Sequence, residues 1–214
     1  RYGSTEEVGC FVLDEAGIQQ VEDPSMLFTS GSKGEARGSF VTVTMEGQRP
    51  LVTEVQALTA DGSGGSPRRA TSGVDYSRVA MLLAVIQEHL KYKDLARKDV
   101  YVSTVGGGKT VEPATDLALA LAITSATAGR YPLRGTVAFG EVGLTGEIRG
   151  VSNLSRRLAE ARRLGWSRAI VPASQRPDVK VPKDMDVIGV VTLEDSLRHA
   201  LTSEHLSGRN GSSR

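Results

Sequence analysis

The run Gly106-Gly107-Gly108-Lys109-Thr110 comes nearest to a phosphate cradle, because a glycine-rich turn lets backbone amides and one lysine approach a phosphate closely. A nucleotide-binding P-loop also needs a glycine five positions before the glycine of its Gly-Lys pair, and Ser103 stands there. ATP binding within this chain is therefore not expected. Lys109 is read instead as a DNA phosphate contact, with a solvated loop lysine as the alternative. Arg68-Arg69 end a glycine-serine loop, from which two adjacent guanidiniums can reach a duplex backbone at little strain. Between Glu147 and Arg176 stand seven arginines against two glutamates. Two of them, Arg156 and Arg157, open a helix, where the macrodipole disfavours cations, so a phosphate or a neighbouring subunit is the expected partner. Pairing of Arg156 with Glu160 one turn on is the bland alternative.

Other chemistries find less support. His89, His199 and His205 lack metal-ligand spacing, and His89 reads as a hydrogen-bonded structural histidine. No Gly-x-Ser-x-Gly elbow occurs. Cys10 is the only cysteine, so neither an internal disulfide nor a cysteine-built zinc site can form, and a reducing cytoplasm is the expected compartment. Net charge is +1, so nucleic acid would have to be held by a local patch rather than a global field. Aromatic residues are few and not interleaved with the arginines, which favours duplex backbone contact over a base-stacking platform. No run approaches the roughly 20 apolar residues of a membrane span, and no signal peptide opens the chain. Its start at Arg1 rather than Met suggests a processed or shortened chain.

These residues must be positioned by a scaffold of strands followed by alternating helices and strands. Glu7 to Leu13 and Ile18 to Val21 read as short strands, and Ser30 to Gly38 as a linker. Phe40 to Met45 and Pro50 to Ala57 are β-branched runs around a Glu46-Gly47-Gln48 hairpin signal. Asp61 to Pro67 reads as a loop. From Asp75, a suitable N-cap, Val79, Leu82, Leu83, Ile86 and Leu90 recur at helical spacing. Val100 to Val105 predicts a strand, Pro113 to Ala128 a helix apolar all round, Thr136 to Phe139 a strand, and Gly140 to Gly150 a tight turn. Asn153 to Leu164 is an amphipathic helix ended by Gly165, and Trp166 is expected in the core. Ala169 to Val171 and Val187 to Val191 read as strands, before a last helix capped by Thr192. The expected class is α/β (α+β), with one domain over 39–206 built of β-α-β units and a tail, 207–214, without fixed structure.

Three stretches carry a family resemblance. Arg1-Tyr2-Gly3 and the residues after them resemble the end of the KNRFG signature of the RadA (Sms) family of bacterial recombination proteins, with Tyr2 in place of its phenylalanine. Arg68 to Arg78 resembles the loop-to-helix entry of that family's carboxy-terminal domain. Gly106 to Ile123 and Gly140 to Leu158 resemble the two active-site segments of Lon-type proteases. The resemblance implies a Lon-protease-like domain over 39–206, preceded in 1–38 by the last short strands of a RecA-like ATPase core. ATP, magnesium and zinc would belong to an upstream part, and no cofactor is expected in this chain.

Lon-type proteases use a Ser–Lys dyad, in which the lysine takes the proton of the attacking hydroxyl. The resemblance places Ala114 where the serine stands and Ser155 where the lysine stands. A methyl cannot attack, and a serine hydroxyl is no base near neutral pH. Thr115 follows one residue later, but a one-residue shift turns the side chain by about 100°. The implied function is a catalytically inactive Lon-like domain that supports ring assembly, as a hexamer, and duplex DNA binding for ATP-driven branch migration. The contacts would be Arg68, Arg69, Lys109, Arg156 and Arg157; the partners would be duplex DNA, further copies of the chain and a recombinase, with no membrane. The competing expectations are an active Lon-like peptidase with an unrecognised nucleophile and a purely structural oligomerisation scaffold.

Overall fold

The hairpin signalled by Glu46-Gly47-Gln48 is the spine of the computed structural model, which describes residues 11–14, 17–20, 36–62, 65–105 and 112–203. Strand β3 (Ser39–Glu46) turns at Gly47, whose φ is 59°, into the 13-residue β4 (Arg49–Asp61). The expected early strands are β1 (Phe11–Asp14) and β2 (Gly17–Gln20), an antiparallel pair forming its own sheet. Glu7 to Cys10, Val21 and the linker up to Glu35 lie outside the described residues, as do Arg1, Tyr2, Gly3, Lys109, His205 and the tail 207–214.

The remaining elements follow the anticipated alternation. They are β5 (Arg69–Ser72), α1 (Tyr76–His89), β6 (Lys98–Thr104), α2 (Asp116–Ala128), β7 (Thr136–Ala138), β8 (Glu141–Val142), β9 (Ile148–Arg149), α3 (Leu154–Arg163), β10 (Arg168–Pro172), β11 (Asp186–Val190) and α4 (Leu193–Ala200). Seven strands form one mixed sheet in the order β11-β10-β7-β3-β4-β6-β5, mostly parallel, with β4 antiparallel to both its neighbours. The class is α/β. Two features differ from expectation. Arg69 begins a strand rather than ending a loop, because β5 pairs with β6 in register Arg69↔Val100. The tight turn at 140–150 also holds a two-stranded ribbon, β8 with β9.

Helix boundaries obey local chemistry. Asp75 accepts the Arg78 amide at 2.8 Å and Thr192 accepts the Asp195 amide at 3.1 Å, satisfying first-turn donors. Helix α3 stops in a Schellman arrangement at Gly165, φ 91°, with Trp166 N–H on Ala161 C=O and Gly165 N–H on Arg162 C=O.

The core lies in two layers. Helices α1, α2 and α4 cover one sheet face, packing on Phe40, Val55, Val100 and Val102. The ten residues of α3 cover the other, with Leu154, Leu158 and Ala161 against Val41, Val43, Val137 and Val171, and Trp166 packs there as expected. Strand β4 spans about 40 Å, whereas α3 spans about 15 Å. The helix therefore cannot shield the whole strand. None of the described helices covers the β5–β6 end of that face, and Leu58 there is 61% exposed. No helix among the described residues is long and apolar enough to cross a membrane.

Candidate functional site

The segment that holds Ala114 enters α2 through a 3₁₀ turn, Pro113–Thr115. Ala114 is buried in the same apolar cluster as Leu154. The buried Thr115 hydroxyl donates to the Glu112 carbonyl at 2.9 Å. Its proton is thus committed to an acceptor with no basicity. Ser155 sits on the solvent side of α3, and its oxygen accepts the Lys180 backbone amide at 3.2 Å. It lines an open cavity of about 480 Å³ with Asn153, Arg156, Ser174, Gln175 and Asp178.

Two ion pairs clamp this segment. The Glu112 carboxylate accepts Arg157 Nη1 at 2.8 Å and Nη2 at 2.6 Å, and also the Met45 amide at 2.9 Å. Arg157 further donates to the carbonyls of Ser152 and Val43. Its side chain is 0% exposed, so the expectation that it contacts DNA is corrected. The physical reason is helical phase: residues 154, 157, 158 and 161 share one face, and that face is the core. The same phase can be read along the sequence, where the cationic residue type masks it.

Four residues further on, Asp116 opens α2. Arg78 from α1 bonds it through Nε at 2.6 Å and through Nη2, and the Val142 amide adds a third donor at 3.1 Å. Burial pushes the Asp116 carboxyl above its ordinary 3.8, opposed by Arg78 and by the Val142 amide. Hydrogen bonding to Asp116 in turn raises the Arg78 guanidinium. Glu141 lies 3.8 Å from Arg78 and 3.7 Å from Arg149, extending the network to the β8–β9 ribbon.

In that ribbon the Thr145 hydroxyl, then Glu147's own amide and Arg149, hold the Glu147 carboxyl down to about 2 from 4.5. A depressed carboxyl stabilises the fold above its unfolded value, and that contribution is lost as pH falls from 4.5 towards 2. Asp116 has the opposite sign, since ionising a buried carboxyl costs stability as pH rises. Denaturant midpoints measured across the acid window should therefore fall less steeply in Glu147→Gln than in the parent chain. Parallel acid limbs for the two would refute this role of the ribbon.

The arginine-rich stretch is less cationic in space than in sequence. Arg157 pairs with Glu112, Arg168 with Asp186, Arg162 approaches Asp184 at 4.0 Å, Arg163 takes Glu160 and Arg149 takes Glu147. Three of those acids lie outside the stretch. Arg156 bonds Gln48 at the hairpin tip rather than Glu160, and its side chain stays exposed.

Arg68 and Arg69 divide in role. Arg69's guanidinium donates to the carbonyls of Leu95, Ala96 and Lys98, tying β5 to the 3₁₀ turn at Lys93–Ala96. This corrects the expectation of a free pair on a floppy loop, because three clustered carbonyls recruit the nearest donor. Arg68 is anchored through its backbone, whose amide donates to Asp99 at 2.7 Å and whose carbonyl accepts the Val100 amide at 2.9 Å and Arg69 Nη1 at 3.1 Å, and its exposed side chain has no bonding partner among the described residues. Arg68 stands beside the end of β4, whereas Arg156 stands beside its start, so roughly 40 Å of strand separates them. The structure does not bring the two into one patch.

The remaining histidines follow expectation in part. His89 Nε2 lies 3.0 Å from the Leu144 carbonyl, a structural bond, and His199 lies 3.8 Å from Asp195. No group of three or more potential metal ligands occurs among the described residues.

Comparison with known proteins gives two findings. Residues 105–175, about a third of the chain, match the family model described as ChlI, subunit ChlI of Mg-chelatase; this stretch holds both Ala114 and Ser155. Proteins named DNA repair protein RadA are similar over far more of it. That of Mycobacterium tuberculosis is 46% identical over 93% of this chain and 41% of its own length. Those of Bacillus subtilis and Escherichia coli are 40% and 43% identical over 94% and 92% of this chain, covering 44% and 42% of theirs. The chain thus spans less than half the length of the curated relatives it matches, and over nine-tenths of its own length it is similar to proteins that carry the name DNA repair protein RadA.

Proposed function

We propose that this chain is the DNA-holding, catalytically silent part of a bacterial DNA repair and recombination protein, built on a Lon-like domain. ATP hydrolysis, with its magnesium, and a zinc-binding module belong to the remainder of the longer protein. Copies of the chain assemble as a ring, a hexamer, which encircles duplex DNA and holds it by phosphate charge during branch migration; a recombinase is the expected partner in that work. The proposal rests on the similarity to RadA proteins for the repair role. One geometric observation carries the DNA contact: Arg68 is an exposed guanidinium whose backbone is pinned at both sides, by Asp99 and by the anchored Arg69. Lys109 and Arg156 are the accompanying contacts, and the strand length between Arg68 and Arg156 puts them at different depths along the DNA. The loss of both dyad groups at Ala114 and Ser155 leaves the peptidase reading without a nucleophile–base pair.

Fluorescence anisotropy with labelled duplex DNA across a salt series tests this. Arg68→Ala should weaken binding alike for unrelated sequences and lower the slope of log K against log salt by about 1, the share of a single phosphate. Thermal unfolding should be unchanged, whereas Arg69→Ala should lower the melting temperature. An Arg68→Ala chain with the parent's affinity and salt slope would remove Arg68 from the DNA-binding surface. Light scattering with and without duplex tests the ring.

A further inference from the structure

The stretch from Ser30 to Gly38 reads as a linker along the sequence, yet its last residues are fastened to the domain before β3 begins. The Ala36 carbonyl accepts the Ser39 amide at 3.1 Å, which closes a turn. The guanidinium of the exposed Arg37 lies 5.6 Å from the Tyr131 ring centroid. It also passes over Gly129, the C-cap of α2, where a Cβ would stand 3.5 Å from its Nη1. The macrodipole favours a cation at that helix end, and the ring face adds to the attraction.

Gly38 is buried and its backbone is fully paired. Its amide donates to the buried Ser125 hydroxyl at 2.9 Å, and its carbonyl accepts the Ala57 amide at 2.6 Å. A Cβ on Gly38 would stand 2.1 Å from the Ala57 carbonyl oxygen, so the chain comes this close to β4 only as glycine. Ser39 Oγ then donates to the buried Glu54 carboxylate at 2.7 Å. Ser125 passes the contact on, since its hydroxyl donates to the Arg130 carbonyl at 2.6 Å. The Arg130 guanidinium in turn bonds the carbonyls of Leu197, Leu201 and Thr202 at the end of α4. Arg37, Gly38 and Ser39 are thus tied to β4, to α2 and the loop after it, and through Arg130 to α4. A loose linker end requires none of these bonds, because exposed backbone is satisfied by water.

We propose that residues 36–39 are the anchor through which ATP-driven motion of the rest of the longer protein is applied to the DNA-holding sheet. The proposal rests on the proposed function, in which hydrolysis and DNA contact are divided between the two parts. The anchor fixes where the tether begins. A pull on it is delivered to β3 and β4, and Arg68 and Arg156 stand beside the two ends of β4. Loosened, residues 36–38 would join the tether and lengthen it by about 10 Å. Slack of that size absorbs a displacement before the sheet moves. Arg37, Gly38 and Ser125 are positioning residues, acting on DNA only through the sheet.

Branch migration and ATP hydrolysis, measured side by side in the longer protein, test the anchor. Arg37→Ala combined with Ser125→Ala should at least halve the migration obtained per ATP hydrolysed, with hydrolysis rate and duplex affinity at parent values. Arg37→Ala alone, a surface change that leaves the core intact, should give part of that loss. Deleting Ser30, Gly31 and Ser32 from the double variant should restore coupling, because the tether regains its length; a merely destabilised domain gains nothing from the deletion. In this chain by itself, amide exchange at Gly38 should quicken in Ser125→Ala while α1 and β6 exchange as in the parent. Undiminished coupling in the double variant, a loss that shortening does not reverse, or unchanged exchange at Gly38 overturns the anchor. Hydrolysis or duplex affinity that falls in step with migration also overturns it, assigning these residues to stability alone. A parent protein that migrates no branches rejects the proposed function and the anchor with it.

Discussion

Arg157→Ala should be the most damaging single substitution in this chain, costing about 3–5 kcal/mol of folding stability. Arg157 is fully buried and its guanidinium satisfies the Glu112 carboxylate and the carbonyls of Val43 and Ser152. Truncation strands an uncompensated carboxylate, opens a cavity beneath α3 and takes one donor from each of two carbonyls. For a domain of this size, a loss near ~4 kcal/mol lowers the melting temperature by about 10 °C, readable by circular dichroism or calorimetry. Arg156→Ala, one residue earlier but exposed, should stay within about 0.5 kcal/mol of the parent. Equal melting temperatures for the two variants would show that the buried pair does not hold α3 to the hairpin.

Asp116→Ala should follow, at about 2–4 kcal/mol, because it removes the acceptor of Arg78 and of the Val142 amide. The cost is kept below that of Arg157 because the Arg78 side chain is 27% exposed and can regain water. Asp116→Asn keeps the shape and one acceptor and should cost less. A double-mutant cycle with Arg78→Ala isolates the pair, with a coupling of about 1–3 kcal/mol expected. Additive losses would mean that the two groups act separately. Glu112 and Asp116, the carboxylates of the two pairs, stand on either side of Ala114 and Thr115, so this segment is bound into the scaffold from both ends.

Much of the scaffold is readable from residue pattern. The β3–β4 hairpin, the caps at Asp75 and Thr192, the apolar α2 and the glycine stop after α3 are all local features, and each forms where its residues predict. Strand β5 is not legible, because Arg-Ala-Thr-Ser has no apolar alternation; it is a strand only because β6 offers it a free edge. The β8–β9 ribbon escapes sequence reasoning for a similar reason, as two residues a side are too few to show a period.

The site divides in the same way. Arg68 and Arg69 are chemically identical neighbours, and only the placement of the Leu95, Ala96 and Lys98 carbonyls separates an anchor from an exposed cation. The arginine excess at 147–176 is real along the chain, yet Glu112, Asp184 and Asp186 arrive from other elements to neutralise it.

By itself, then, the order of residues determined the alternation of elements, their caps, and the absence of hydroxyl and amine at Ala114 and Ser155, because each depends on neighbours a few positions away. Which arginines face solvent, which carboxylates are already matched, and which part of the sheet lies bare were decided only in three dimensions. Charge and exposure are set by whatever packs within a few ångströms, and in this fold those neighbours lie tens of residues apart along the chain.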